Sequence, residues 1–291
     1  MADSCPTLTE RILAKDRWII AAGLTLLTLL AWTYIISGAG TGMSLQAMSR
    51  WEFPPGIPAI GPHSDWTLAY AVSMLLMWWV MMIAMMIPSA SPTILLYARL
   101  LANTRTNQFE KLPERRVRSS TSNAANSPTL APTAHFAAGY LTAWLIFSMA
   151  AVFLQWLLQY SGLLHGMTMA STSHLFSGLL LIAAGLYQLS TLKAACLRHC
   201  RSPAEFLSSH WRKGAAGAAQ MGFAHGLYCV GCCWCLMVLL FVGGAMNLLW
   251  IAGLGGLVLV EKTLPSGLLI ARLSAILLLS SGTLLIYTAL P

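Results

Sequence analysis

The sequence predicts an all-α, polytopic transmembrane helix bundle of about seven spans with a cytoplasmic N-terminus. Three observations predict it. The chain of 291 residues is 57% hydrophobic and only 9% charged, with mean hydropathy +0.68, whereas a soluble domain carries about 25% charged residues. Apolar runs long enough to cross a bilayer recur along it. Lysine and arginine collect in alternate connecting segments, as the positive-inside rule requires of cytoplasmic loops. The formal net charge of +8 then reports topology and a lipid bilayer as partner, not nucleic acid. No nucleotide-binding loop, nucleophile elbow or dinucleotide fingerprint is present, so no motif supports an enzyme.

Residues 1–17 are polar, with Arg11, Lys15 and Arg17. Trp18 to Ser37 is an uncharged run of 20 residues. It reads as a retained anchor, because the apolar core of a signal peptide is only about 7–15 residues long. Residues 38–65 form a Gly- and Pro-rich outer loop with Met43, Met48 and His63. The second span starts near Trp66 and runs through Met74, Met77, Met81, Met82, Met85 and Met86 to Pro88, continuing past a kink towards Tyr97. Residues 99–133 are rich in Arg, Asn, Ser and Thr and read as a flexible basic linker. His135 to Gln159 is the third span, 160–173 a short outer loop, and His174 to Leu192 the fourth span. A basic loop follows over 193–219, with Cys196, His199, Cys200, Trp211 and Arg212. Met221 to Val242 is the fifth span, Asn247 to Val260 a short sixth, and 266–289 the seventh. Whether spans five and six are separate or form one re-entrant hairpin stays open. Glu261 and Lys262 read as a charge pair at the inner interface, with an ion-pathway role as the alternative.

Four units result: an N-terminus over 1–17, two spans with their outer loop over 18–98, the linker over 99–133, and a five-span membrane domain over 134–291. Fifteen lysines and arginines fall in the segments assigned inside, against Arg50 alone outside. That count places the N-terminus inside and the C-terminus outside.

The fifth span is the unusual one. Met221, His225, Cys229, Cys233 and Met237 recur every four residues and so form one slowly drifting stripe on a helix. All five are soft-metal ligand types, and thiolate with thioether selects Cu(I), with Zn(II) and Fe–S clusters as the other users of thiolate. Cys232 and Cys233 point to different faces, so Cys229 pairs with one or the other at any given site. In the expected topology Met81, Met82, Met85 and Met86 reach the same depth from the opposite side. Packing is the plain alternative for both sets, since Cys and Met also serve as buried fillers. Seven cysteines with four inside seven residues do not form a disulfide scaffold. A second soft cluster, His165, Met167, Met169 and His174, falls in the outer loop, where thioether and imidazole suit copper in an oxidising compartment. Cys196 and Cys200 carry too few ligands for a closed site and read as structural, or as a transient metal contact.

Met81-Met82-Ile83-Ala84-Met85-Met86-Ile87-Pro88-Ser89 resembles one signature of the family known as predicted metal-binding integral membrane proteins. Its longer signature resembles residues 187–265, through Tyr187-Gln188, Leu192-Lys193, Cys196-Leu197, Cys200-Arg201-Ser202-Pro203, Trp211-Arg212, Met221-Gly222, His225-Gly226, Tyr228-Cys229, Gly231-Cys232-Cys233-Trp234, Met246-Asn247-Leu248 and Glu261-Lys262. Cys235 and Ser190 depart from it. That family includes a bacterial copper chaperone serving a polyphenol oxidase. The resemblance implies a non-enzymatic protein of the bacterial inner membrane that delivers Cu(I) to an extracytoplasmic copper-dependent oxidase or oxygenase. A copper transporter, a membrane dithiol enzyme cycling Cys229 and Cys232, and a structural subunit of a membrane complex are the rival readings.

Overall fold

The computed structural model describes residues 8–39, 43, 45–49, 66–110, 129–166 and 168–290, with side chains described from Arg17 onward and, in 66–110, as far as Thr104. The helices are α1 (Leu8–Ile36), α2 (Leu45–Met48), α3 (Leu68–Glu110), α4 (Leu130–Tyr160), α5 (His174–Gln188), α6 (Thr191–Arg201), α7 (Pro203–Ser209), α8 (Gly214–Val238), α9 (Leu240–Gly243), α10 (Leu248–Thr263) and α11 (Gly267–Ala289). Among the described residues the β structure is a single bridge between Leu164 and Ser171.

All seven expected spans are helical, but they are not equivalent. Five are long and apolar enough to cross a membrane: Arg17–Ile36, Leu68–Thr104, Leu130–Tyr160, Gly214–Gly243 and Gly267–Ala289. The other two, α5 and α10, have 15 and 16 residues, about 22–24 Å at 1.5 Å per residue, short of a ~30 Å hydrocarbon core. α5 ends at Gln188, where the chain bends by 63° into α6, and the two taken together are apolar and long enough for a sixth, broken span. The Ser190 hydroxyl caps α6 by accepting from the Lys193 amide at 3.1 Å. The segment expected to be a basic loop over 193–219 is therefore largely helical, in α6 and α7. Its amphipathic turns were hidden by charge. Helix also reaches into the expected linker, through α3 to Glu110 and α4 from Leu130.

α3 carries Pro88 and Pro92 without ending. Pro92 cannot donate to the Pro88 carbonyl, and the Ser91 hydroxyl donates to it instead at 2.8 Å. α8 packs most extensively on α4, and α5 on α11. At the α4–α8 crossing a Cβ on Gly222 would lie 1.9 Å from the Phe136 carbonyl oxygen. The two backbones touch there, as small residues allow where lipid removes most of the hydrophobic drive for helices to associate. The outward faces are greasy: Leu26, Phe153 and Leu277 are all more than half exposed.

One buried polar knot holds the end of the bundle where α5 breaks. Lys193 Nζ donates to Glu261 Oε2 at 2.7 Å, with both side chains at most 2% exposed. Gln188 Nε2 donates to Glu261 Oε1 at 2.9 Å and to Ser274 Oγ at 2.7 Å, and its Oε1 accepts from Lys193. The knot thus joins α5, α6, α10 and α11. It also corrects the expected Glu261–Lys262 pair. Neighbours on a helix diverge by about 100°, so Glu261 faces Lys193 while Lys262 faces elsewhere.

Candidate metal centre

α8 places its stripe in the interior: Met221, His225, Cys229, Cys233 and Met237 are all buried. A helix end-to-end stripe is nevertheless too long for one ion. Met221 and Met237 are 16 residues apart, about 24 Å. Met221 Sδ accepts the Arg212 amide at 3.2 Å, at the end where α8 begins, while Met237 lies fully buried near the other end.

The sulfurs meet in the middle. The thiols of Cys232 and Cys233 both donate to the Cys229 carbonyl, at 3.1 and 3.0 Å. From there they diverge. Cys233 Sγ lies 4.0 Å from Met86 Sδ of α3, whereas Cys232 Sγ lies 3.9 Å from Cys200 Sγ of α6. Cys229 Sγ faces a third way. It lies 3.0 Å from the Tyr140 hydroxyl of α4 and accepts from Lys262 Nζ of α10 at 2.8 Å. Lys262 also donates to Ser89 Oγ at 3.3 Å, and Tyr140 to the Met86 carbonyl at 3.4 Å. Five helices therefore send side chains to one dry locus, where Cys229, Cys233 and Met86 are at most 1% exposed. Among the described residues no three His, Cys, Asp or Glu side chains are set to hold an ion jointly. The arrangement is sulfur pairs around a shared carbonyl, with a thioether as one partner.

His225 lies one turn before Cys229. Its ring sits among Phe206, Tyr140 and Phe136, at centroid distances of 5.2, 5.8 and 6.3 Å. Its Nδ1 is buried without a hydrogen-bond partner, which is uncommon for a buried ring nitrogen.

Of the four methionines expected from α3, Met86 lies with its sulfur 4.0 Å from that of Cys233. Met85 turns to α10, where its Cγ lies 3.3 Å from a Cβ built on Gly255. Met81 and Met82 are buried in the core. The outer cluster is separate. His165 Nδ1 accepts the Thr168 amide at 3.3 Å, Met169 is buried, and His174 opens α5. Met167 and His63 lie outside the described residues. This loop packs on the turn after α9, with Thr168 O 3.0 Å from a Cβ built on Gly244.

Sequence reasoning missed three members of the centre, Lys262, Tyr140 and Ser89, and read Cys200 as structural or as a transient metal contact. Lys262 was discoverable, because a helical neighbour of Glu261 cannot share its partner. Tyr140 carries no signal in the sequence.

These features define a class: an apolar helical bundle with membrane-length helices and soft donor atoms gathered at its centre. The sequence pattern of the PpoB2 copper chaperones matches residues 75–285, and the chain belongs to that copper chaperone family. The matched region contains every residue of the sulfur centre and leaves α1 outside. No curated protein and no solved structure matches the chain.

Proposed function

We propose that the protein is a membrane-embedded chaperone that carries Cu(I) on Cys229, Cys233 and Met86, with His225 or Cys232 completing the coordination, for delivery to a copper enzyme outside the cytoplasm. The observation that carries this reading is the approach of Cys233 Sγ to Met86 Sδ, 4.0 Å apart across 147 residues of sequence. Thioether beside thiol is a donor set suited to monovalent copper. The unpartnered Nδ1 of His225, one turn away, supports it. Lys262 supplies a cation beside the Cys229 sulfur, so a thiolate there would not stand alone in a low-dielectric interior. Loading is then ligand exchange: a thiol proton leaves as the copper–sulfur bond forms, and no electron moves. The buried centre is the carrier, and the outer His165, Met167, Met169 and His174 cluster is the departure point. The charge distribution supports a cytoplasmic N-terminus and an inner-membrane location, with the outer cluster facing the recipient enzyme.

The test is copper stoichiometry and affinity of the purified full chain under anaerobic conditions, by competition with a chromophoric Cu(I) chelator. Wild type retains copper, Cys229→Ser and Cys233→Ser lose at least tenfold in affinity, and Met86→Leu loses a smaller but measurable factor. A wild-type chain that takes up no Cu(I) would refute the proposal, as would cysteine variants that bind like wild type.

A further inference from the structure

The buried centre leaves the cysteines of α6 without a role. Cys200 and Cys196 are both half-buried, in contrast to Cys229, Cys232 and Cys233. We propose that Cys200 and Cys232 form a second copper site, a receiving port through which Cu(I) from a small anionic thiol complex reaches the Cys229/Cys233/Met86 centre. The port rests on the copper reading of that centre.

The geometry is that of a pair poised to bridge. Cys200 Sγ and Cys232 Sγ come from different helices and lie 3.9 Å apart. Two metal–thiolate bonds of about 2.3 Å span that gap at a bent angle, without movement of either helix. The pairing is not incidental contact between loose elements, because α6 is held onto α8 at two points and the end of α5 at a third. The His199 ring tilts over Tyr228 with centroids 4.4 Å apart. The Tyr187 hydroxyl donates to the Gly231 carbonyl. Cys196 Sγ lies 2.9 Å from where a Cβ on Gly231 would sit, so a side chain there would lift α6 from α8.

The port also has a way in and a way on. Its outer member is half-buried and its inner member is 2% exposed, so exposure falls from Cys200 to Cys232. Cys232 shares the Cys229 carbonyl with Cys233, so the ion passes from one sulfur neighbour to the next around a single turn of α8. The last turn of α6 carries Arg198, His199 and Arg201, surroundings that favour an anionic donor. In the transfer the Cu(I)–sulfur bond to the incoming thiolate breaks as a bond to Cys200 forms. The Cys200 proton goes to the departing thiolate, and copper stays monovalent.

The experiment loads the full-length protein in detergent from Cu(I)–glutathione without oxygen, following uptake in time and final copper content. Cys200→Ser is expected to slow uptake at least tenfold and to leave the copper held by the buried centre unchanged. Cys200→Met, which restores a soft donor, is expected to recover most of the rate. In wild type, Cu(I)–glutathione is expected to protect Cys200 from maleimide before it protects Cys229, read by mass spectrometry, which needs no variant to fold. Uptake by Cys200→Ser at the wild-type rate overturns the port while leaving the chaperone reading intact. Loss of the buried copper in Cys200→Ser overturns it too, by making Cys200 a ligand of the main centre. Protection of Cys229 ahead of Cys200 does the same. No uptake by wild type overturns both proposals together.

Discussion

Among the described residues two lysines are buried, and they are held differently. Lys193 meets a carboxylate, Glu261, at 2.7 Å and an amide oxygen. Lys262 meets a sulfur at 2.8 Å and a serine hydroxyl at 3.3 Å. The first is a fixed joint between helices, since every polar atom around it is matched. Lys193→Ala is expected to cost about 3–5 kcal/mol, because it leaves a buried carboxylate without its cation. Pairing Lys193→Met with Glu261→Leu is expected to regain most of that, since an apolar pair of similar volume often replaces a buried ion pair at little cost. Thermal unfolding of the two variants in detergent measures both. At this scale the sequence was only partly legible. The i, i+4 stripe of α8 was visible, because helical periodicity is a local property. Which stripe residue meets which partner was not, because Met86, Tyr140, Cys200 and Lys262 arrive from four other helices. Lys262 was assigned to the adjacent Glu261 although a helix turns neighbours apart.

At the level of elements, the apolar runs marked every long helix, and boundaries shifted where charge or proline misled. α3 runs on through Pro88 and Pro92, and the carbonyl that Pro92 leaves without a backbone donor, that of Pro88, accepts from the Ser91 hydroxyl. α6 and α7 went unseen because five lysines and arginines over 193–219 resemble a solvated loop. The closeness of α8 to α4 was not legible either, since it depends on a backbone contact and not on any apolar face. Gly222 marks that contact. Gly222→Leu is expected to separate the two helices, abolish a monodisperse peak on size exclusion and lower the membrane-extracted yield severalfold. Gly253, with nothing within 4 Å of a built Cβ, is the control. Gly253→Ala is expected to match wild type, with at most a slight gain from helix propensity.

For the molecule as a whole, charge distribution and the short α5 and α10 bear on how the chain lies in a membrane. Reporter fusions after Lys213 and after Leu290 are expected to report the cytoplasmic and the outer side respectively. The same side for both would mean an even number of crossings between them, and α10 would then lie within one leaflet's depth. The broad class was legible from composition alone, because a bilayer constrains hydropathy more tightly than water does. The arrangement of the interior was not, since it arises from contacts between segments far apart in the chain.

Cys232 and Cys233 are consecutive residues that look towards different helices. An ion exchanged between them moves sideways around α8, advancing only about 1.5 Å along its axis. A unit charge crossing the full ~30 Å core feels about 2.3 kcal/mol per 100 mV, so this step feels only about 0.1 kcal/mol. That exchange would then be nearly indifferent to the voltage across the membrane, whereas movement of the ion along the bundle would be driven or opposed by it.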